Sequence, residues 1–189
     1  MPLEQLTNPT DLPITYDEAR RQLRILDDAH EEYIYECMHR ATASCEAILG
    51  GALISRQYRL DLDSFPAGRI DLGMFPVQSI DSFVYDDTNN TETSLTLSTD
   101  YYQNLSGKYP FVSPVTSWES TYPDKPRSVR ITFTAGYSNT DLIPADVKHA
   151  ILIQVKQFFD FGNDWVQGIH ATHMNTINQL LFQHKRLHV

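Results

Sequence analysis

The chain has 189 residues, of which 41% are hydrophobic and 21% charged, with a formal net charge of −9. This composition is that of a folded globular protein and excludes a disordered one, and the acidic balance argues against a conventional nucleic-acid binder, which needs a basic surface. The sequence has no apolar run near the roughly 20 residues that cross a bilayer and no secretory signal at its start, so we expect a protein that stays in the cytoplasm where it is made.

The first predicted helix opens with a capping box. Thr15 has the residue type of an N-cap, and Glu18 follows at the position whose side chain can reach back to the N-cap backbone. Ala19 and Leu23 are spaced to continue one apolar face of the helix. We predict a short helix that ends near Ile25-Leu26.

A second, longer helix is predicted to open at Asp27-Asp28 and to run to about Ile48, with Gly50-Gly51 as its C-terminal stop. Apolar residues recur along it at helical spacing. Cys37 and Cys45 lie on this helix about 12 Å apart along its axis, which is too far for a disulfide between them. We therefore expect two buried free thiols. The predicted apolar stripe consists of Ile34, Met38, Ala41, Cys45 and Ile48.

Between Leu53 and Tyr137 apolar residues alternate with polar ones, which predicts strands with one buried face. Several short strands at this spacing favour a small, largely antiparallel sheet. The predicted strands lie at Tyr58 to Asp63, Ile70 to Leu72, Ile80 to Tyr85, Leu95 to Leu97 and Val129 to Thr134.

Two details of this region bear on function. Asp61 and Asp63 alternate with apolar residues on one strand, and we expect both on its solvated polar face, although paired carboxylates can also serve acid–base chemistry. The proline-rich stretch from Gly107 to Pro126 is predicted to be mainly loop.

The last zone is helical again. Asp141 to Pro144 opens a third helix, because proline suits the first helical turn, and the helix ends before Gly162. Gly162 to Met174 is predicted to be a flexible loop. A final amphipathic segment runs from about Asn175, and its apolar face carries Ile177, Leu180 and Leu181.

Histidines raise a metal hypothesis, since His170 and His173 lie near Asp164. A zinc site needs three or four rigidly held ligands, usually in a recognised spacing, and isolated surface histidines are the more common interpretation. No nucleophile elbow, phosphate-binding glycine loop or basic cysteine setting occurs. We therefore assign no catalytic, cofactor-binding or metal-binding residue.

Two stretches are candidate contact surfaces. Aromatic residues crowd the proline-rich region, where interface and core are equally compatible with the pattern. The apolar face that ends the sequence, flanked by Lys185 and Arg186, can either dock onto a partner or pack back onto its own bundle. The aromatic candidates for a subunit or tail-partner contact are Tyr109, Phe111, Trp118 and Tyr122.

An ordered series of short segments resembles the head–tail connector proteins of tailed bacteriophages, the family of portal adaptors and head-completion proteins. The series includes ITYDEA at 14–19, GALIS at 51–55, FPVQSI at 75–80, VRITFTAGY at 129–137 and IPADVK at 143–148. The resemblance extends over about residues 14 to 161 and is sharpest at TFTAGY followed by the proline-started helix. The segment around Trp165 and Gly168 does not follow the pattern.

The resemblance implies a helical bundle with a β-rich insertion, assembled as a ring of about twelve copies in the virion neck. Such a ring would sit beneath the portal, line the channel through which genomic DNA passes without specific binding, and receive the next neck or tail component (the stopper). The carboxy-terminal segment would reach the portal. The implied portal-contact residues are Leu180, Leu181, Phe182, Lys185, Arg186, Leu187 and Val189.

We therefore expect an α+β fold in which residues 1–52 and 138–189 form the bundle and residues 53–137 form the insertion, as one compact unit. We expect a structural protein that is not an enzyme and needs no cofactor or membrane. The alternative is a small metal-dependent hydrolase that uses Asp164, His170 and His173; a weaker one is a scaffold or chaperone that leaves the finished particle.

Overall fold

The computed structural model of the chain describes residues 3–26, 30–161 and 169–186, with the backbone alone at 161 and 169–174. The chain divides into two compact units, which we call the helical unit and the β-unit. The helical unit comprises Thr10–Ile54 and Tyr137–Val189, and the β-unit comprises Met1–Pro9 and Ser55–Gly136. Helices and antiparallel sheets are thus segregated, and the α+β fold class predicted from the sequence is confirmed.

The described part of the helical unit contains a short 3-10 helix (Thr140–Leu142) and four α-helices: α1 (Tyr16–Leu23), α2 (Glu31–Leu49), α3 (Ala145–Phe161) and α4 (Ile169–Phe182). α2 packs against α3, and α3 packs against α4 and α1. No helix in the described ranges is long and apolar enough to cross a membrane. The apolar stripe predicted for α2 is confirmed, because Ile34, Met38, Ala41 and Cys45 are buried and Ile48 is half-buried against the same core. In α3, Val147, Ile151 and Val155 are likewise buried.

The predicted capping box at the start of α1 is confirmed. Thr15 Oγ accepts a hydrogen bond from the Glu18 backbone N–H at 3.2 Å, and Glu18 Oε2 accepts one from the Thr15 backbone N–H at 2.7 Å. These bonds satisfy N–H groups that the first helical turn leaves without partners. α1 ends at Leu23, earlier than predicted, because Arg24 adopts a left-handed conformation with φ 59°. The predicted start of the second helix at Asp27 and Asp28 lies outside the described residues.

The loop predicted from Gly162 to Met174 is wrong in its second part, since α4 begins at Ile169. Glycines at 162 and 168 suggested an irregular segment, but the α4 sequence contains neither glycine nor proline, so nothing in it interrupts a helix. The part of α4 that was predicted, from about Asn175 onward, packs as expected, because Ile177 and Leu181 are fully buried in the core of the helical unit.

The β-unit contains eight strands in its described residues, joined in two antiparallel sheets. The larger sheet has the order β1-β2-β8-β4-β5 and the smaller has the order β3-β7-β6. β1 and β6 have no counterpart among the strands predicted from the sequence. The strands are β1 (Leu3–Gln5), β2 (Arg56–Leu62), β3 (Ile70–Asp71), β4 (Val77–Asp86), β5 (Glu92–Ser94), β6 (Tyr101–Asn104), β7 (Phe111–Pro114) and β8 (Val129–Ala135).

The alternation predicted for β2 and β8 places their apolar residues on one buried face. Tyr58 pairs with Phe133 and Leu60 pairs with Ile131 in the antiparallel register, and all four side chains are buried. The Tyr58 and Phe133 rings lie 5.9 Å apart in a stacked arrangement. Cross-strand pairs of this kind fix the register, because a shift by one residue would turn each apolar side chain to the opposite face.

Two strand predictions need correction. β5 occupies Glu92–Ser94 in place of the predicted Leu95 to Leu97, and the region predicted as loop contains the strand β7. Pro110 precedes β7 and Pro114 ends it. Neither proline occupies the interior of the strand, where it would remove a ladder hydrogen bond, so the prolines delimit this strand and do not prevent it.

Candidate interaction surfaces

The carboxy-terminal end of α4 carries both buried and exposed apolar side chains. Leu181 is fully buried in the helical core, and Leu180 is half-buried against it. Phe182, the last residue of α4, is 69% exposed. An exposed phenylalanine of this kind gains by contact with a partner, because its apolar surface is hydrated in the isolated chain.

The residues after α4 are fixed onto the helical unit as far as Arg186. The backbone N–H of Arg186 donates to the carbonyl of Leu49 at the end of α2, at 2.8 Å, and the Arg186 residue is 9% exposed. The backbone N–H of Lys185 donates to the Leu181 carbonyl at 2.9 Å, while its side chain is exposed. Of the predicted portal-contact residues, Leu187 and Val189 lie outside the described residues.

Asp146, in the first turn of α3, joins the start of α3 to the end of α4. Gln183 Nε2 donates to Asp146 Oδ2 at 2.6 Å, and His184 Nε2 lies 3.8 Å from the same oxygen. Leu142 precedes α3 and is 61% exposed. Exposed Phe182 directly precedes Gln183, and exposed Leu142 lies shortly before Asp146 in the sequence. Each of them is therefore close in sequence to one partner of this contact. Leu142 was not among the predicted contact residues, although an apolar residue just before a proline-started helix can be recognised in the sequence.

In the β-unit, two of the four aromatic contact candidates support local structure. The Trp118 ring stacks on Phe65 with centroids 4.8 Å apart, and Trp118 Nε1 donates to the Gly68 carbonyl at 2.7 Å. The Phe111 ring lies under the guanidinium of Arg69, at 5.1 Å from the ring centroid. These rings are half-buried, so packing is their main role in the isolated chain.

The other two aromatic candidates are more exposed, since Tyr109 and Tyr122 have 40% and 38% of their surface accessible. Tyr122 lies on the loop that precedes β8. Backbone hydrogen bonds to the end of β4 hold this loop in place. Its backbone N–H donates to the Asp86 carbonyl at 3.0 Å, and the Asp86 backbone N–H donates to the Ser128 carbonyl at 2.8 Å. The loop that presents Tyr122 is thus anchored at both ends to one residue.

The Asp86 side chain strengthens this anchor. Arg130 donates two hydrogen bonds to the Asp86 carboxylate, and Lys125 Nζ lies 2.9 Å from it. Hydrogen bonds from Arg130 and Lys125 hold the pKa of Asp86 well below its usual value and outweigh the opposing effect of burial. A buried carboxylate with two cationic partners stabilises the loop only while it stays ionised.

Asp61 corrects a prediction, because it is 2% exposed and does not lie on a solvated face. Its carboxylate oxygens lie 3.1 Å from Arg59 Nε and 3.6 Å from Arg127 of the same loop. Asp63 is exposed, and it accepts a hydrogen bond from the Arg127 backbone N–H at 2.9 Å. These two carboxylates bind the loop before β8 and show no arrangement for acid–base catalysis.

The solvent face of α2 is acidic at its amino-terminal end. Glu31 and Glu32 are exposed, and exposed Glu36 pairs with Arg40 at 3.1 Å. Glu46, in contrast, turns back to accept a hydrogen bond from the Leu53 backbone N–H at 2.7 Å. Acidic surface on α2 is therefore concentrated in its first two turns.

Described residues of the types that often serve in catalysis occupy structural positions in this fold. Cys37 and Cys45 are buried free thiols, as predicted. Burial raises the pKa of Cys45 to about 12 and raises that of Cys37, so neither thiol forms a reactive thiolate near neutral pH. Within the described ranges, no group of three or more potential ligands could hold a metal ion. The side chains of Asp164, His170 and His173 lie outside the described residues.

Comparison with solved structures shows the same fold in particle necks. A chain from the neck of an empty gene transfer agent particle, computed with C6 symmetry, has a TM-score of 0.83 and 21% identity over all of this chain and 97% of that chain. A chain from the virion of a native gene transfer agent particle gives the same values. A chain from the neck of a native particle, computed with C12 symmetry, has a TM-score of 0.77 and 23% identity with the same coverage. No protein-family model and no curated protein sequence matches the chain.

Proposed function

We propose that this chain is a structural protein of the neck of a tailed bacteriophage or phage-like particle, where it joins the portal to the tail. The observation that carries the proposal is the match of the whole chain, in both units, to chains from two gene transfer agent necks. The ordered series of segments from ITYDEA to IPADVK supports it independently, because that resemblance lies in the sequence and does not depend on the match of folds.

The proposed assembly is a closed ring of twelve identical copies. A neck computed with C12 symmetry has twelve equivalent positions for each chain, and C6 symmetry is a subset of the same arrangement. Copies related by rotation about one axis meet head-to-tail, so each copy needs two different contact patches. The chain offers exposed apolar side chains on both units, at Phe182 and Leu142 of the helical unit and at Tyr109 and Tyr122 of the β-unit.

In this proposal the end of α4 contacts the portal. Phe182 and Lys185 present their side chains to the partner, because both are exposed. Leu181 and Arg186 fix the position of that surface from inside the unit, and half-buried Leu180 lies at its margin. Leu187 and Val189 extend the same segment in the sequence. An interface with one exposed aromatic anchor beside a charged residue has the usual composition of a protein docking site.

The second proposed surface receives a neighbouring copy or the next neck component. Tyr109 and Tyr122 are its contact residues, and Phe111 and Trp118 hold the surrounding loops in shape. A loop that is already ordered loses little conformational freedom on binding, so the Asp86 anchor favours association.

The proposed relation to DNA is repulsive and without sequence preference. Duplex DNA carries one negative charge per roughly 1.7 Å, and the exposed acids of α2 would oppose phosphate binding if they face the channel. The proposed role involves no bond-making step, no cofactor and no metal. The hydrolase alternative would depend on Asp164, His170 and His173, whose side chains lie outside the described residues.

Quantitative mass spectrometry of purified particles tests the proposal. We expect the chain at twelve copies per particle, in a fixed ratio to the portal, and retained after the tail is detached. A chain that is absent from purified particles would overturn the structural role, and would favour a scaffold or chaperone that leaves before completion.

A further inference from the structure

Strand β1 is held almost wholly by one neighbouring strand. It pairs with β2 in the register Leu3↔Leu60, Glu4↔Arg59 and Gln5↔Tyr58. Two side-chain contacts also join β1 to β2: Arg59 donates to its register partner Glu4 at 2.8 Å, and Arg56 donates to Gln5 at 3.2 Å. Since all these partners lie on β2, the β2 strand of any other copy of the chain offers β1 the same set of contacts.

β1 also contributes little to the core of the β-unit. Glu4 and Gln5 are exposed, and Leu3 is half-buried. Beyond β2, a neighbour of Leu3 is Gly73, where an added Cβ would lie at the ordinary contact distance of 3.7 Å from a Leu3 methyl group. Moving β1 from one copy to another therefore leaves the packed interior of each β-unit intact.

The chain passes from the β-unit to the helical unit in the segment that follows β1, and we call residues 8–11 the hinge. Asn8, Pro9, Thr10 and Asp11 are exposed, whereas Leu12 packs against the core of the helical unit. Upstream, the Thr7 hydroxyl accepts a hydrogen bond from the Gln57 backbone N–H at 2.8 Å, which ends the attachment to β2. Five Cα steps separate Thr7 from Leu12, so the hinge spans at most about 18 Å when extended.

β1 covers the edge of β2 that does not pair with β8. It is seven residues long and would be the edge of the five-stranded sheet without β1. A long, uncovered edge invites uncontrolled pairing with other chains. The three-residue β1, with Glu4 and Gln5 outward, ends the sheet in a form that resists further growth.

We propose that β1 is an exchangeable strand, which in the assembled ring pairs with β2 of the neighbouring copy in place of its own. The inference rests on the proposed function, because a closed ring keeps a second copy within reach of the hinge. Exchange around the ring replaces each internal pairing by an identical one between copies, and so links every subunit to the next at no loss of contacts. The exchange requires Gln57 of the neighbouring copy to lie no farther from Leu12 than the extended hinge can span.

Cross-linking between paired positions tests the exchange. Chains with Glu4→Cys and chains with Arg59→Cys are mixed in equal amounts, assembled on the portal, and treated with a short bismaleimide. Each chain carries one new cysteine, so a cross-linked dimer forms only when β1 of one copy meets β2 of another. We expect up to about half of the chains in such dimers for random mixing in a ring. The buried native thiols stay unmodified in the folded chain.

The doubly substituted chain, Glu4→Cys with Arg59→Cys, provides the decisive comparison on denaturing gels. Exchange gives a ladder of covalent oligomers from assembled rings, whereas internal pairing gives cross-linked monomers alone. Chains with Glu4→Cys mixed with chains that carry Ser94→Cys on the opposite sheet edge are the matched control, and should give no dimer. Cross-linked monomers from intact rings would overturn the exchange and leave the neck role standing. Failure of the wild-type chain to enter rings would overturn both.

Discussion

Asp86 and Arg130 lie on the adjacent strands β4 and β8 and are joined by two hydrogen bonds of 2.8 and 3.1 Å between guanidinium and carboxylate. Arg130 also donates a hydrogen bond to Glu92 on β5 at 2.8 Å, so one guanidinium group links side chains of three neighbouring strands. The same Asp86 anchors the loop that carries Tyr122 through its backbone. Sheet stability and the shape of a proposed contact surface therefore depend on one ion-paired carboxylate.

Replacing Asp86 by asparagine is expected to destabilise the β-unit by about 3 kcal/mol, because it leaves two cations without their buried counterion. Urea unfolding measures the loss. Glu92→Gln is the matched control, since it removes the other carboxylate bonded to Arg130 from a position whose side chain is 63% exposed, where such a pair contributes at most about 1 kcal/mol. Equal losses for the two variants would contradict the assignment of Asp86 as the anchor.

The contribution of Asp86 should depend on pH in one direction. Its pKa is lowered in the folded chain, so the ionised form stabilises the fold above the unfolded-state pKa of about 4 and is progressively lost as the pH falls below it. The stability difference between wild type and Asp86→Asn should be constant from neutral pH to about pH 5 and should shrink by roughly 2 kcal/mol by about pH 2.5. A difference that shrinks as the pH rises from 5 to 8 would refute the ionised anchor.

A part of these relationships could be predicted from the sequence. The capping box at Thr15 and the apolar stripe of α2 follow from local spacing, and both appear as expected. The alternation of apolar and polar residues in β8 could be recognised equally well, because its apolar residues all face the same core. Local patterns of this kind suffice where a residue's environment is set by its neighbours in sequence.

The ion pairs of the β-unit could not be predicted in the same way. Asp61 occupies a polar position of an alternating strand, and its burial depends on Arg127, a residue far away in the chain. Asp86 ends an apolar strand next to turn-forming residues, where a solvated acid is the ordinary expectation. Strand β1 was missed because three residues with one apolar side chain give no periodic signal.

Phe182→Asp is expected to weaken binding to the portal by at least about tenfold, or roughly 1.4 kcal/mol. The free energy of unfolding should change by less than about 0.5 kcal/mol, because the side chain lies largely in solvent. Pull-down with purified portal and urea unfolding separate the two effects. Leu181→Ala is the contrasting variant, expected to cost about 2–5 kcal/mol of stability. Unchanged portal binding by Phe182→Asp would remove this residue from the contact.

Conversion of Glu31, Glu32 and Glu36 to lysine is expected to slow genome ejection, since added cations attract the phosphates of passing DNA. Single-particle ejection kinetics at low and high salt would measure the effect, which should diminish as salt screens the charges. The corresponding glutamine variant, which removes charge without reversing it, should lie between the wild type and the lysine variant. Ejection at the wild-type rate in the lysine variant would show that this face of α2 does not line the channel.

Cryo-electron microscopy of the purified particle, averaged about the neck axis, tests the central claim most directly. We predict twelve copies of this fold in one ring between portal and tail, with the end of α4 against the portal. A neck whose ring at that level is built from another fold, in particles that otherwise eject their genome normally, would contradict it.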